Sequence, residues 1–225
     1  MEKKNLKATS IYWALAIQAF VAILFLIFSS IKNNTGQFLF LLFNLFLAWI
    51  PLVIALTIRQ YLKKNPWLSF KGVALAFVWV CFLPNSFYII SDLIHLNNFN
   101  SFDILFDIIT FFLIAVNGII AGVISVYLIH EELNKRLKSR QSLMIVMGLF
   151  LMCGFGIYLG RYLRLNSWDV ITNPLVFIFD MTNPLFDPQT QLKAFTACIG
   201  ILGLLGTSYL VLWQSIEHHR GSMKI

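Results

Sequence analysis

The chain has 225 residues, of which 59% are hydrophobic, 22 are Phe and only 12% are charged. That is more apolar surface than the core of a soluble domain this size needs, so a soluble fold is excluded and a membrane protein is indicated. The formal net charge of +7 would suit nucleic acid, but the basic residues are sorted along the chain in a way that only a membrane explains.

Hydrocarbon about 30 Å thick calls for roughly 20 apolar residues per helix. Six windows meet that length, at residues 11–31, 38–58, 72–90, 104–128, 143–163 and 194–212. Little chain is left over, so the expectation is one all-α membrane domain over 1–225, a bundle of six transmembrane helices. The first window follows Lys3, Lys4 and Lys7. It is too long for a signal-peptide core, and Ser29-Ser30-Ile31-Lys32 is a poor cleavage site, so it reads as an uncleaved signal anchor. Asn33, Asn34 and Gly36 supply the turn into the second window, and Asn65-Pro66-Trp67 breaks the chain before the third.

The third window carries Pro84, roughly 18 Å along the helix at about 1.5 Å per residue. Pro84 removes one helical hydrogen bond and invites a kink. Beyond it Asn85, Tyr88, Asp92 and His95 stand at helical spacing and form one polar stripe if the helix resumes. The fourth window answers with Asp103, Asp107, Thr110 and Asn117, within about 80° on a wheel of 100° per residue. A carboxylate inside a membrane is costly, so it should face the bundle and have a partner. Residues 130–141 continue this helix as a charged, solvated face.

The fifth window ends with Tyr158, Arg161 and Arg164 at three-residue steps, followed by Asn166, Trp168 and Asp169. Two readings stand here. Arg161 can lock helices together by pairing with Asp107 or Asp92, or Arg161 and Arg164 can clamp a phosphate or carboxylate bidentately. In 165–193 the run Thr172-Asn173-Pro174-Leu175 recurs as Thr182-Asn183-Pro184-Leu185. Its apolar stretch is too short to span, so a short helix at, or dipping into, the outer interface is expected. Four glycines in 148–160 suit close helix packing. Cys81, Cys153 and Cys198 all lie in apolar windows and offer neither a disulfide framework nor metal spacing.

With the N-terminus inside, every basic residue except Lys32, Arg161, Arg164 and Lys193 falls on the cytoplasmic side. This is the positive-inside pattern, with both termini cytoplasmic. The lipid bilayer is then the main partner, anionic headgroups meet the basic loops, and no nucleic acid is implied. All six aspartates lie between residues 92 and 187, away from the basic stretches, which marks one aspartate-bearing outer face.

Two segments together resemble the signatures of an uncharacterised bacterial membrane-protein family, domain of unknown function 1361. One is Leu83-Pro84-Asn85-Ser86-Phe87-Tyr88 running into Asp92-Leu93-Ile94-His95-Leu96. The other is Gly156-Ile157-Tyr158-Leu159-Gly160-Arg161-Tyr162-Leu163-Arg164-Leu165-Asn166-Ser167-Trp168-Asp169. The resemblance implies a multi-pass protein of the bacterial inner or plasma membrane. Family members often have proline where Phe87 stands, which implies a milder bend here. It brings no assigned activity and no catalytic residue.

From the residues themselves three chemistries follow. Asp92, His95 and Asp107 are candidates for general acid/base work. Asp92, His95 and Asp103 or Asp107 have the ligand types for Zn²⁺ or Mn²⁺, although a single outer histidine without diagnostic spacing makes a divalent metal the less expected cofactor. Arg161, Arg164, Asn85, Tyr88, Asn166, Trp168 and Asp169 are candidates for holding an anionic envelope or lipid-linked substrate. The leading function is an enzyme or accessory factor acting on such a substrate. The alternatives are a small-solute or ion transporter using the Asp107–Asn117 stripe, and a non-catalytic structural or assembly protein. Glu131-Glu132 with Arg136 matches one element of intramembrane prenyl-type proteases, but the companion Phe-x-x-x-His is missing, so that activity is not expected.

Overall fold

A computed structural model describes residues 2–32, 40–92, 104–165 and 169–222. Every regular element among them is helical, as it must be where no water can satisfy a backbone amide. In chain order these are α1 (Glu2–Lys32), α2 (Phe40–Tyr61), α3 (Phe70–Tyr88), α4 (Ile104–Asn134) and α5 (Ser139–Tyr162). They continue as α6 (Asp169–Thr172), α7 (Pro174–Phe186), α8 (Pro188–Ile201) and α9 (Thr207–Ser222), with a π-helical turn at Leu202–Gly206 between the last two.

Among the described residues six stretches are long and apolar enough to cross a membrane: Ser10–Lys32, Phe40–Tyr61, Phe70–Asp92, Ile104–Asn134, Ser139–Tyr162 and Pro188–His218. Each overlaps one of the six apolar windows. The last begins earlier than its window, at Pro188, because its first turn is polar and is set by a cap rather than by hydropathy. Asp187 has extended backbone, and its carboxylate accepts from the N–H groups of Gln189 (3.3 Å) and Thr190 (3.1 Å), with Pro188 at the first helical position. Ser69 caps α3 in the same way, its Oγ accepting from Gly72 N at 3.2 Å. Asn173-Pro174 also starts a helix, α7, whereas the second Asn-Pro pair lies inside it.

Pro84 sits inside α3 without ending it. The α-helix runs on to Tyr88, and residues 89–92 tighten into a 3₁₀ turn, so Asp92 follows Asn85 and Tyr88 on a narrower winding than an unbroken α-helix would give.

By its internal contacts the chain forms two compact units, Met1–Leu128 and Ile129–Ile225, the division falling within α4. The first is built on small residues that let backbones approach. Its core joins Ala19, Ala22 and Leu26 of α1, Leu41, Leu45 and Ala48 of α2, and Ile89 with Phe111, Ile114 and Ala115. Where α4 crosses α3 only glycine fits: a Cβ on Gly122 would stand 2.7 Å from both the Phe87 ring and Ser86 Cβ. Without a hydrophobic drive between helices in lipid, such close packing and interhelical hydrogen bonds carry the association.

In the second unit α5 packs on α8. A Cβ on Gly154 would stand 2.5 Å from Cys198 Cα and 2.7 Å from Ala197 O, so this crossing is again made by glycine. Tyr158, Leu159 and Ala194 form the adjoining core, with Phe155, Leu163, Leu165, Phe177 and Ala197 against it.

Candidate functional site

The first unit holds a ladder of buried polar groups, most of them matched across helices. At one end Asp107 is buried on α4 and accepts from Ser29 Oγ of α1 at 2.5 Å. Asp92 is buried as well and accepts from Asn44 Nδ2 of α2 at 2.8 Å. Further along α4, Asn117 is fully buried. Its Oδ1 accepts from Trp49 Nε1 (2.8 Å), and its Nδ2 donates to Leu15 O (2.9 Å) and Gln18 Oε1 (3.3 Å). Ser125 then accepts from Trp79 Nε1 (2.7 Å) and donates to Pro51 O (3.0 Å). Thr110 is buried and turns its hydroxyl back to Phe106 O at 2.9 Å. The stripe Asp107–Thr110–Asn117 therefore faces the bundle, as the cost of an intramembrane carboxylate requires.

Asn85 and Tyr88 are half-buried. Asn85 Nδ2 donates to Phe82 O at 3.0 Å, within its own helix, and Tyr88 O accepts from Ser91 Oγ at 2.7 Å. His95 and Asp103, needed for the three-ligand metal arrangement, lie outside the described residues, as do Asn166 and Trp168. Among the described residues no group of three or more His, Cys, Asp and Glu side chains comes together as a metal ion requires.

The second unit carries the arginines at the end of α5. Arg161 occupies the last turn and is partly buried, whereas Arg164 is exposed and follows the helix with φ of 58°. Left-handed backbone costs a side chain with Cβ on the order of 1–2 kcal/mol, and glycine or asparagine is the usual occupant. Leu165 N returns to Leu159 O at 3.2 Å and closes this turn. Asp169 begins α6, and its Oδ1 takes a long 3.4 Å contact from Thr172 Oγ1.

One turn before Arg161 lies Tyr158, with 0% exposure. Its ring stacks with Phe155 at 5.8 Å and lies 5.5 Å from that of Tyr162, yet its hydroxyl has no hydrogen-bond partner among the described residues. Asp187 and Asp180 lie within electrostatic reach of it, and Lys193 stands over the Tyr162 ring at 5.5 Å. Asp187 itself sits at the water-exposed cap of α8. The hydroxyl hydrogen bond from Thr190 holds its carboxyl below the ordinary range, aided by the Thr190 and Gln189 amides and Lys193.

Sequence reasoning passed over a further polar cluster in this unit. Residues 130–141 read as a solvated face, and from Lys135 onward they are exposed, but His130 and Glu132 are buried. His130 Nδ1 meets Tyr209 Oη at 2.7 Å and Nε2 meets Ser142 Oγ at 3.2 Å. Ser142 turns its single hydrogen toward Asn134 Oδ1 and Ser139 O, so it must accept from His130 Nε2–H, leaving Nδ1 to accept from the Tyr209 hydroxyl. Glu132 is joined by Lys135 at 2.5 Å. The missing signal was tertiary: Tyr209 and Ser142 come from sequence-distant positions that no helical wheel of α4 contains.

Six membrane-length helices, small-residue crossings and buried polar ladders define an α-helical multi-pass membrane protein. The chain belongs to a family described as protein of unknown function (DUF1361), whose model matches residues 43–205. No curated protein and no solved structure matches it.

Proposed function

We propose that this is a multi-pass protein of the bacterial inner membrane, both termini cytoplasmic, that holds the anionic group of an envelope or lipid-linked substrate at the outer end of α5. Arg161 and Arg164 supply the charge and fork geometry for a phosphate or carboxylate, with Asn166, Trp168 and Asp169 as the neighbouring contacts. The observation that carries this reading is the Tyr158 hydroxyl, fully buried and without a partner among the described residues. A buried orphan donor costs about 1–3 kcal/mol, and a ligand oxygen delivered beside Arg161 removes that cost. Arg164 adds support, since a strained backbone is retained with a long cationic side chain on it. Helix α7 fits an interfacial position. It is too short to span, and Leu175, Val176, Ile178 and Phe179 are all exposed on it.

In the first unit Asp92, His95 and Asp107 are proposed as proton-transfer groups, with Asn85 and Tyr88 beside Asp92 in sequence. The buried, saturated state of Asn117 favours an interhelical tie over a watered transport path along the α4 stripe. If the carboxylates act chemically, Asp92→Asn and Asp107→Asn leave a folded protein without activity; unfolding in both supports a structural tie.

The anion site is tested by thermal unfolding of detergent-purified protein with farnesyl phosphate, using farnesol as the uncharged control. Farnesyl phosphate should raise the wild-type midpoint and farnesol should not, and Arg161→Gln should abolish the rise. Tyr158→Phe should raise the ligand-free midpoint, by removing the orphan hydroxyl, while weakening the phosphate effect. An equal response of wild type and Arg161→Gln to farnesyl phosphate, or no response in wild type, overturns the proposal.

A further inference from the structure

We propose that the turn between α2 and α3 is an anionic-lipid anchor. Leu68 and Phe70 enter the acyl boundary of the inner leaflet, while Lys63, Lys64 and Lys71 engage the phosphates of its headgroups.

Leu68 and Phe70 are each 92% exposed, more than any other large hydrophobic side chain among the described residues. The turn that displays them is built, not slack. Asn65 donates to Tyr61 O through both its backbone N (3.2 Å) and Nδ2 (3.1 Å). Ser69 Oγ donates to Pro66 O at 2.8 Å, accepts from Gly72 N and lies 2.9 Å from Tyr61 Oη. Gly72 is required for this closure, because a Cβ there would stand 2.5 Å from Trp67 O. Two apolar side chains held in the open by a hydrogen-bonded turn are placed for a partner.

Charge identifies the partner. Lys63, Lys64 and Lys71 are exposed around the apolar pair, with Lys71 over the Tyr61 ring at 5.6 Å. No acidic residue lies between Glu2 and Asp92, so the patch has a single sign. Trp67 stands in the same turn and is only partly buried, an aromatic of the kind enriched at membrane–water interfaces. The turn joins two membrane-length helices, which puts it at a bilayer boundary. Two spans separate it from Lys3, Lys4 and Lys7 and so return it to their side. By the positive-inside rule that side is cytoplasmic, where the leaflet carries anionic lipid and attracts basic segments.

The test uses full-length protein with Cys81, Cys153 and Cys198 replaced by Ala and a bimane label at Leu68→Cys. It is placed in nanodiscs of equal phosphatidylglycerol and phosphatidylcholine, with one or the other lipid brominated. The label should be shielded from aqueous iodide and quenched by lipid bromine, and brominated phosphatidylglycerol should quench at least about fivefold more than brominated phosphatidylcholine. Lys63→Gln/Lys64→Gln/Lys71→Gln should bring the two lipids to equality while the label stays shielded from iodide. A monodisperse elution profile and an unchanged unfolding midpoint check that the triple variant is folded. Quenching by iodide overturns the anchor, and equal quenching by the two lipids in the parent protein overturns the anionic selectivity. Shielding from both iodide and lipid means that a protein partner or a second copy covers the turn, and overturns the proposal as well.

Discussion

Gly154→Ala should destabilise this protein although alanine is the better helix former. In a helix interior the exchange gains about 1 kcal/mol from propensity. Against it, the new Cβ would lie 2.5 Å from Cys198 Cα, 2.7 Å from Ala197 O and 3.0 Å from Cys198 N. Carbon atoms rest at about 3.5–4.0 Å, so the shortfall is at least about 1 Å. All three obstacles are backbone, which no rotamer change can move, and α5 and α8 must separate. Overpacking of this kind costs about 1–3 kcal/mol, and the upper half of that range applies here, leaving a net loss of about 1–2 kcal/mol. For a chain of this size that lowers the unfolding midpoint by about 2–8 °C. Gly148, on the same helix, has nothing within 4 Å of its would-be Cβ, so Gly148→Ala should raise the midpoint by about 2–4 °C. The readout is thermal unfolding followed by fluorescence-detected gel filtration in one detergent. A Gly154→Ala protein as stable as wild type would refute the close α5–α8 crossing, and two shifts of the same sign would refute the reasoning behind it.

Asn117→Ala should lose about 1–3 kcal/mol in the same assay, because it strands Trp49 Nε1 and removes the interhelical bonds to Leu15 O and Gln18 Oε1; Trp49→Phe, which removes a single bond, should cost less. Arg164→Gly should raise the midpoint by relieving the left-handed backbone, by roughly 1 kcal/mol, and at the same time weaken the response to farnesyl phosphate. Asp187 is held below the usual carboxylate range by its cap bonds, so its support of the first turn of α8 is complete above about pH 4 and is lost as pH falls through its lowered native value. Amide-exchange protection at Gln189 and Thr190 should follow that course, and Asp187→Ala should lack it at every pH.

The six spans were legible because apolar length is a local property, and so was the inward face of Asp107, Thr110 and Asn117, which one helical period places together. The partners of the buried acceptors were not. Ser29, Asn44 and Trp49 look like isolated polar interruptions until the helices are brought together, and each then proves to be a donor to a buried acceptor, Asp107, Asp92 and Asn117 respectively. Pro84 suggested an interruption where α3 continues, since a proline in a buried helix loses one bond that its neighbours can make good. The His130 cluster was misread for the opposite reason. It opens a run of charged residues that is exposed from Lys135 onward, and such a run hides the two residues, His130 and Glu132, that turn inward. Tyr158 shows the limit of pattern reading in another form: its spacing from Arg161 was visible, but that its hydroxyl is buried without a partner among the described residues is a fact of packing alone.

The π turn at Leu202–Gly206 sets the phase of the sixth span. Its hydrogen bonds reach one residue further than those of an α-helix, so everything beyond it lags by about 100° relative to an unbroken helix. That lag separates two seams on one rod: α8 turns Ala197 and Cys198 to Gly154, and α9 turns Tyr209 to His130. Thr207 Oγ1 and Ser208 Oγ occupy the carbonyls of Gly203 and Leu204 at 2.5 and 2.7 Å, which holds the extra residue in place. Removing one residue from this turn would therefore leave both helices whole and still break their shared alignment, so the length of this short stretch is itself a determinant of how the second unit packs.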